Sequence, residues 1–387
     1  MPVERCDEPL SVDLEIARWM AGAEARLGRR PTVLFRRIVG YPGSAVLGNP
    51  YPRQVLLQAL GIDETGWPAA VARRLDDPAP GLLSVDPRWS TLSGLHQLPV
   101  VQHRPGDAGR YITAGVAVTR SLSTSRINLG VYRVQVVGPH RGRVFFDPRT
   151  DAHRNWQEAM AAGVPLPIAI FLGADPVFML IAASRLPAIE SDYDIAARLL
   201  GRNLELAGDP PVPTDAAYAV FGDVTGRLEL EGPFGEFKGY YVEARESPVL
   251  EVRSVLRSET PVYPTIVTGR ESGLTLMALQ NEYLLHAHLQ AAGFPVRSVR
   301  YPLESFGEYV VLIESDQPSA EIVDAAMTFD LRAKLILCGR DLSRPWQALA
   351  THGFEVRDEL YLRKGRAEGR RLGLLLDHPP EGRPVEY

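Results

Sequence analysis

The chain has 387 residues, 45% hydrophobic and 23% charged, with a formal net charge of -5. That length predicts two or three domains with room for real cores, and the mild acidity argues against nucleic acid or an anionic membrane as the main partner. The two cysteines, Cys6 and Cys338, match neither metal nor redox spacing, and Glu4, Asp7 and Glu8 stand where a signal peptide would carry positive charge. With apolar runs about half the length of a membrane span, the expectation is a cytoplasmic protein.

In chain order, Ile16, Ala17, Met20, Ala23 and Leu27 form a helical stripe over 13–27 that stops at Gly28. Thr32–Phe35 reads as a strand, Gly40–Gly43 as a turn, and Arg53–Leu60 as a helix ended by Gly61. A further helix is expected after Thr65, a suitable N-cap. Residues 76–95, rich in Pro, Asp, Gly and Ser, mark the first boundary.

From Leu98 the texture turns to strands. Tyr111–Val118 and Tyr132–Val137 read as strands joined by a polar hairpin region, and Leu166–Leu172 as a buried strand. Asp175-Pro176 opens a helix, and Ser191–Leu200 forms another, with Ser191 and Asp194 in capping-box spacing and Gly201 beyond its end. Strands follow at Tyr218–Val224, Tyr240–Glu243 and Val249–Val255. After Arg257 the elements alternate: a strand near Thr265, a helix over Leu274–Ala292, strands near Val296 and Tyr309, a helix from Ala320, a strand at Lys334–Leu337 and a helix over Ser343–Thr351, ahead of a largely polar tail from Gly365. The division is 1–90, 91–256 and 257–387.

Three stretches carry unusual chemistry. Glu231-Gly-Pro-Phe-Gly-Glu236 holds two carboxylates on a backbone that is neither helix nor regular strand. Such a pair can give one acid the proton and leave the other charged; read alone, the stretch is more commonly a solvated turn. Pro105-Gly-Asp-Ala-Gly-Arg-Tyr-Ile-Thr113 is a glycine-rich approach to a strand, without dinucleotide or P-loop spacing. In Asn128-Leu-Gly-Val-Tyr-Arg133, ideal alternation puts Asn128 and Arg133 on opposite faces, and a turn at Gly130 brings them together. Arg133 is either a surface residue of a barrel strand or a clamp for a carboxylate. The histidines form no cluster; His286 and His288 lie at i,i+2 and point apart.

In this order, Asp107–Thr113, Asn128–Gln135 and Glu231–Tyr241 resemble the UbiD family of decarboxylases. The resemblance extends through Phe35–Gly43, Leu47-Gly-Asn49, Leu172–Pro176 and, more loosely, Lys334–Leu337. It implies an α/β (α+β) protein: an N-terminal α/β cap, a central split β-barrel holding a flavin, and a C-terminal α/β domain. The implied cofactor is prenylated FMN, made by a flavin prenyltransferase, and the implied reaction is reversible non-oxidative decarboxylation of an aromatic or α,β-unsaturated acid, as in secondary metabolism, by a homodimer.

Carried over residue by residue, the catalytic trio is Arg133, Glu231 and Glu236, with Glu236 as general acid. The flavin-contacting positions are Thr113, Asn128, Leu129, Tyr132, Arg133, Arg149 and Lys334. The family also holds a divalent metal such as Mn, with K nearby, through an Asn, a His and a Glu. Asn128 stands at the Asn position. Ungapped counting puts the other two on Arg149 and Phe221, which are not metal ligands. Arg149 is then expected to pair with the flavin phosphate in place of the cation, with His153 the alternative in a shifted register. The other reading is a UbiD-like protein without the metal or prenylated FMN, acting as a flavin-independent enzyme, a small-molecule binder or a non-catalytic subunit.

Overall fold

The computed structural model describes residues 3–64, 66–184, 190–237, 239–269, 271–347, 353–363 and 366–378. Its contacts divide the chain into two units, 1–61 with 74–276, and 62–73 with 277–387. The first unit thus takes in most of the 1–90 segment together with all of 91–256.

Eight strands of the first unit follow one antiparallel path: Tyr111–Ile112, Val134–Gly138, Arg141–Val144, Arg245–Arg257, Tyr218–Glu231, Leu166–Leu172, Val116–Arg120 and Ile127–Val131, with Ser90–Leu92 added beside Arg245–Arg257. Val134–Gly138 and Ile127–Val131 are six places apart on that path. Laid flat they would be about 29 Å apart, yet only Tyr132 and Arg133 join them, a reach of about 11 Å. The sheet must therefore curl into a half-barrel, and Tyr132-Arg133 lies across its seam. The core inside the curl includes Ile112, Val134, Val144, Ile168, Ile170, Val220 and Leu250. Leu166–Leu172 pairs on both edges, which is why its run is almost continuously apolar.

Helices meet their expected ends. Glu15–Leu27 stops where Gly28 turns left-handed, its N–H bonding the Glu24 carbonyl, and Arg53–Leu60 stops in the same way at Gly61. Asp175 caps Pro176–Ala183 by accepting from Val177 N, and Ser191 caps Asp192–Leu200 by accepting from Tyr193 N.

Several expectations need correction. The stretch 111–118 is two strands, and its second half pairs with Ile127–Val131, so Asn128–Gly130 is strand rather than turn. The strands expected at 218–224 and 249–255 extend to Tyr218–Glu231 and Arg245–Arg257 and pair with each other, ending on Glu231 opposite Arg245. Val262–Thr265 joins Ala45–Gly48 in a small sheet of the first unit.

In the second unit the sheet runs Val296–Arg300, Val310–Ser315, Leu335–Gly339, Arg366–His378, Gly353–Arg363, with Ala320–Phe329 packed against it. The expected polar tail is thus strand: Leu372–Leu376 pairs in parallel with Leu335–Gly339. Arg371, 3% exposed, donates to the Met327, Asp330 and Ala333 carbonyls near the end of that helix. Thr65 and residues 348–351 of the expected Ser343–Thr351 helix lie outside the described residues. No described helix is long and apolar enough to cross a membrane.

Candidate active site

Crossing the seam puts Arg133 against the last residue of Tyr218–Glu231. Arg133 Nε and Nη2 donate to the two carboxylate oxygens of Glu231 at 2.9 and 2.8 Å, a bidentate fork between residues 98 apart in sequence. The Glu231 side chain is fully buried and that of Arg133 is 12% exposed. The guanidinium also lies 5.0 Å from the ring centres of both Phe145 and Phe234. The clamp reading of Arg133 is the one the fold realises, with a carboxylate of the protein itself as its partner.

The Gly/Pro turn that follows is gripped from the glycine-rich segment. Gly232 adopts φ 101°, and Phe234–Gly235 pairs with Tyr241–Val242. Asp107 accepts from Gly235 N at 2.8 Å and from Arg104 N at 2.9 Å, while Ala108 N donates to the Pro233 carbonyl at 2.8 Å. Burial pushes the Asp107 carboxyl up, against the lowering effect of those amide bonds. Arg104 donates to the Glu236 and Thr268 carbonyls, and Thr268 donates to that of Gly235 at 2.6 Å. A Cβ at Gly235 would collide with the Arg104 guanidinium, which accounts for the glycine. Glu236 N donates to the Tyr240 carbonyl at 2.8 Å. The main chain of Glu236 is therefore fixed while its side chain stays half-buried. The segment 105–113 is chiefly a clamp on the acid turn, and its working side chain is Asp107.

The remaining expected positions divide. Thr113 accepts from Ile266 N at 3.2 Å. Asn128 is buried, and its Nδ2 makes no well-aligned hydrogen bond. Leu129 N donates to Asp192 at 2.7 Å, and burial pushes the Asp192 carboxyl up to about 6. Tyr132 packs edge-on against Phe146 at 5.0 Å, and its hydroxyl, pushed up by burial, meets Thr150 and Asn128. Arg149 is 81% exposed and forked onto Asp147 at 2.9 Å. The Phe221 ring covers Gly208. Lys334 belongs to the second unit, its Nζ 4.5 Å from the Tyr309 ring centre.

Asn128, Arg149 and Phe221 do not fit a divalent cation: one is a guanidinium, one a hydrocarbon. The carboxylate that the fold brings to the Asn128 strand is Asp192. Counting along the sequence missed it, and its helix-start position beside Ser191 was the only local signal. Asn128 does fit the acceptor-rich end of a flavin nucleotide, since a buried amide donor that makes no well-aligned hydrogen bond is suited to a phosphate or carbonyl oxygen.

A second buried titratable group lies beside this clamp. His103 Nε2 is 2.7 Å from Thr265 Oγ1, and burial, reinforced by the Arg104 charge, pushes the imidazole down to about 3. Its folded value lies below its ordinary one, so its contribution to stability is complete above pH 6.5 and is lost as the pH falls toward 3. Urea titrations at pH 7.5 and 5.0 should show the wild type losing about 1.4 kcal/mol per pH unit below 6.5 from this residue. His103→Gln should lack that part of the slope.

Residues 87–271 match the UbiD family, described as the 3-octaprenyl-4-hydroxybenzoate carboxy-lyase Rift-related domain. The whole chain superposes on an evolved dimeric form of the UbiD-class enzyme HmfF from Pelotomaculum thermopropionicum in complex with prFMN. The TM-score is 0.87 and the identity 25%, over 100% of this chain and 94% of that one.

Residues 87–271 form a UbiD-family domain.

The UbiD fold is seen again in 3,4-dihydroxybenzoic acid decarboxylase AroY of Klebsiella pneumoniae, with a TM-score of 0.85 and 20% identity over 100% of this chain and 94% of that one. An uncharacterized protein of Synechocystis sp. is 30% identical over 231 residues, 58% of this chain and 46% of that protein. The chain thus spans less than half the length of this curated relative.

Proposed function

We propose that the chain is a prenylated-FMN-dependent decarboxylase of an aromatic or α,β-unsaturated carboxylic acid. The observation that carries this reading is the fully buried Glu231 forked to Arg133, with the half-buried Glu236 at the end of the same clamped turn. Burying an ion pair costs several kcal/mol of desolvation, and a site that handles a carboxylate and a proton gives that cost a purpose. The ligands of the UbiD-class neighbours support the cofactor.

When bound, prenylated FMN supplies the electron sink that loss of CO2 from an sp2 carbon requires. Thr113, Asn128, Leu129, Tyr132 and Arg133 are the residues that would hold it. The chain's own part is then positional and acid–base. Arg133 holds Glu231 in its bidentate fork and supplies a positive charge for the substrate carboxylate. As the bond to that carboxylate breaks and CO2 leaves, Glu236 delivers its proton to the same carbon and is reprotonated from solvent. No step is assigned to a metal. We place the enzyme in the cytoplasm as a homodimer, supplied by a flavin prenyltransferase.

The test is co-expression of the full chain with a flavin prenyltransferase, followed by visible absorbance, mass spectrometry of the released cofactor, and CO2 release from a panel of aromatic and cinnamic-type acids. A coloured protein carrying prenylated FMN, active on at least one acid, is the expected result. A colourless protein without flavin overturns the proposal. It would favour the second reading, a UbiD fold that binds another small molecule, to which the exposed Arg149 and the apolar Phe221 point.

A further inference from the structure

Tyr111 stands two residues before Thr113 on the short strand Tyr111–Ile112, opposite Gln135. It is 1% exposed, and its ring centre lies 4.6 Å from that of Phe234, the ring that also faces the Arg133 guanidinium. Phe234 thus lies against both the Tyr111 ring and the Arg133 guanidinium that holds Glu231.

The Tyr111 hydroxyl is buried without a hydrogen bond of good geometry. Leaving such a group unsatisfied is costly, and buried hydroxyls without a partner are rare. Its electrostatic neighbours are Glu231, Arg133 and Asp107, and burial followed by the Glu231 charge pushes the phenol above its ordinary value. Asp107 is already occupied by the Gly235 and Arg104 amides, and Arg133 is a donor with nothing to accept. Glu231 is held by the guanidinium that shares the Phe234 ring with Tyr111, and each of its oxygens takes one bond from Arg133 and keeps a second lone pair.

We propose that Tyr111 is a positioning residue whose hydroxyl donates to Glu231 as a third hydrogen bond, fixing the carboxylate in the charged, oriented state that leaves the transferable proton on Glu236. The proposal rests on the decarboxylase reading above. Tyr111 does not touch the reacting carbon; it acts through Glu231.

The test is Tyr111→Phe, which keeps the ring on Phe234 and removes only the hydroxyl. In the full chain, with or without cofactor, infrared difference spectra with glutamate-labelled protein should show a displaced carboxylate stretch on Tyr111→Phe. That same band should be missing in Glu231→Gln. In the loaded enzyme kcat should fall about tenfold with KM within about twofold, the size expected for one hydrogen bond to a charged group. An unmoved carboxylate band, or a higher melting temperature with unchanged kcat, would mean that the hydroxyl is an unused polar atom, and would overturn the proposal. A displaced band in a protein that never turns over any acid would instead overturn the decarboxylase reading and leave the Tyr111–Glu231 bond standing.

Discussion

Replacing Glu236 by Gln is expected to lower turnover by about a thousandfold while leaving the fold intact. A positioned general acid contributes roughly two to four orders of magnitude, and glutamine keeps the size and hydrogen bonding of the side chain without a proton to give. Stability should hardly change, because the turn is held through the main chain: Glu236 N on the Tyr240 carbonyl, its own carbonyl on Arg104 and Gly239 N, and Asp107 on the neighbouring Gly235 amide. None of these bonds uses the carboxylate. Glu236→Asp keeps the proton but draws it back by about one bond length, and should cost roughly ten- to a hundredfold in kcat. Steady-state CO2 release, with melting temperature as the control, separates the outcomes. Wild-type turnover by Glu236→Gln would remove it as proton donor.

The second large effect is on stability. Arg133→Met leaves Glu231, which has no solvent exposure, as a buried carboxylate without its cation. Breaking a buried pair from one side costs about 3–5 kcal/mol, and loss of the guanidinium between Phe145 and Phe234 adds about 0.5–1 kcal/mol more. Urea denaturation at neutral pH should register most of that loss. Removing both partners, Arg133→Met with Glu231→Met, should restore much of the stability, since apolar groups of similar volume replace a buried pair at little cost or with gain. Activity should stay lost. A double variant as stable as the wild type and inactive would show that the pair is retained for chemistry; one as unstable as the single variant would make it a structural strut.

Local physics made some parts of the chain readable. Arg53–Leu60 ends at Gly61 because only glycine takes the left-handed cap there easily, and Leu166–Leu172 reads as buried because both its edges are paired. Asp175-Pro176 and Ser191 announced their helices through caps that operate within three residues. Other elements were hidden. Ile127–Val131 contains Gly130, which reads as a break; in the fold a Cβ there would run into the Tyr132 ring. The strand at Arg366–His378 starts with charge, and only pairing with Leu335–Gly339 gives its leucines a face to bury.

The acid pair followed the same division. The five-residue spacing of Glu231 and Glu236, the turn between them and the Arg133 motif are properties of the sequence, as is the resemblance to UbiD decarboxylases. Tertiary structure alone made Arg133 meet Glu231, because two residues must close a seam between the ends of a curled sheet. It also brought Asp107 to the turn, Tyr111 to the Phe234 ring and Asp192 to the Asn128 strand, where counting had pointed to Arg149 and Phe221. Spacing along a chain sets direction only within one element. Between elements, strand order and curl decide which side chains share a site.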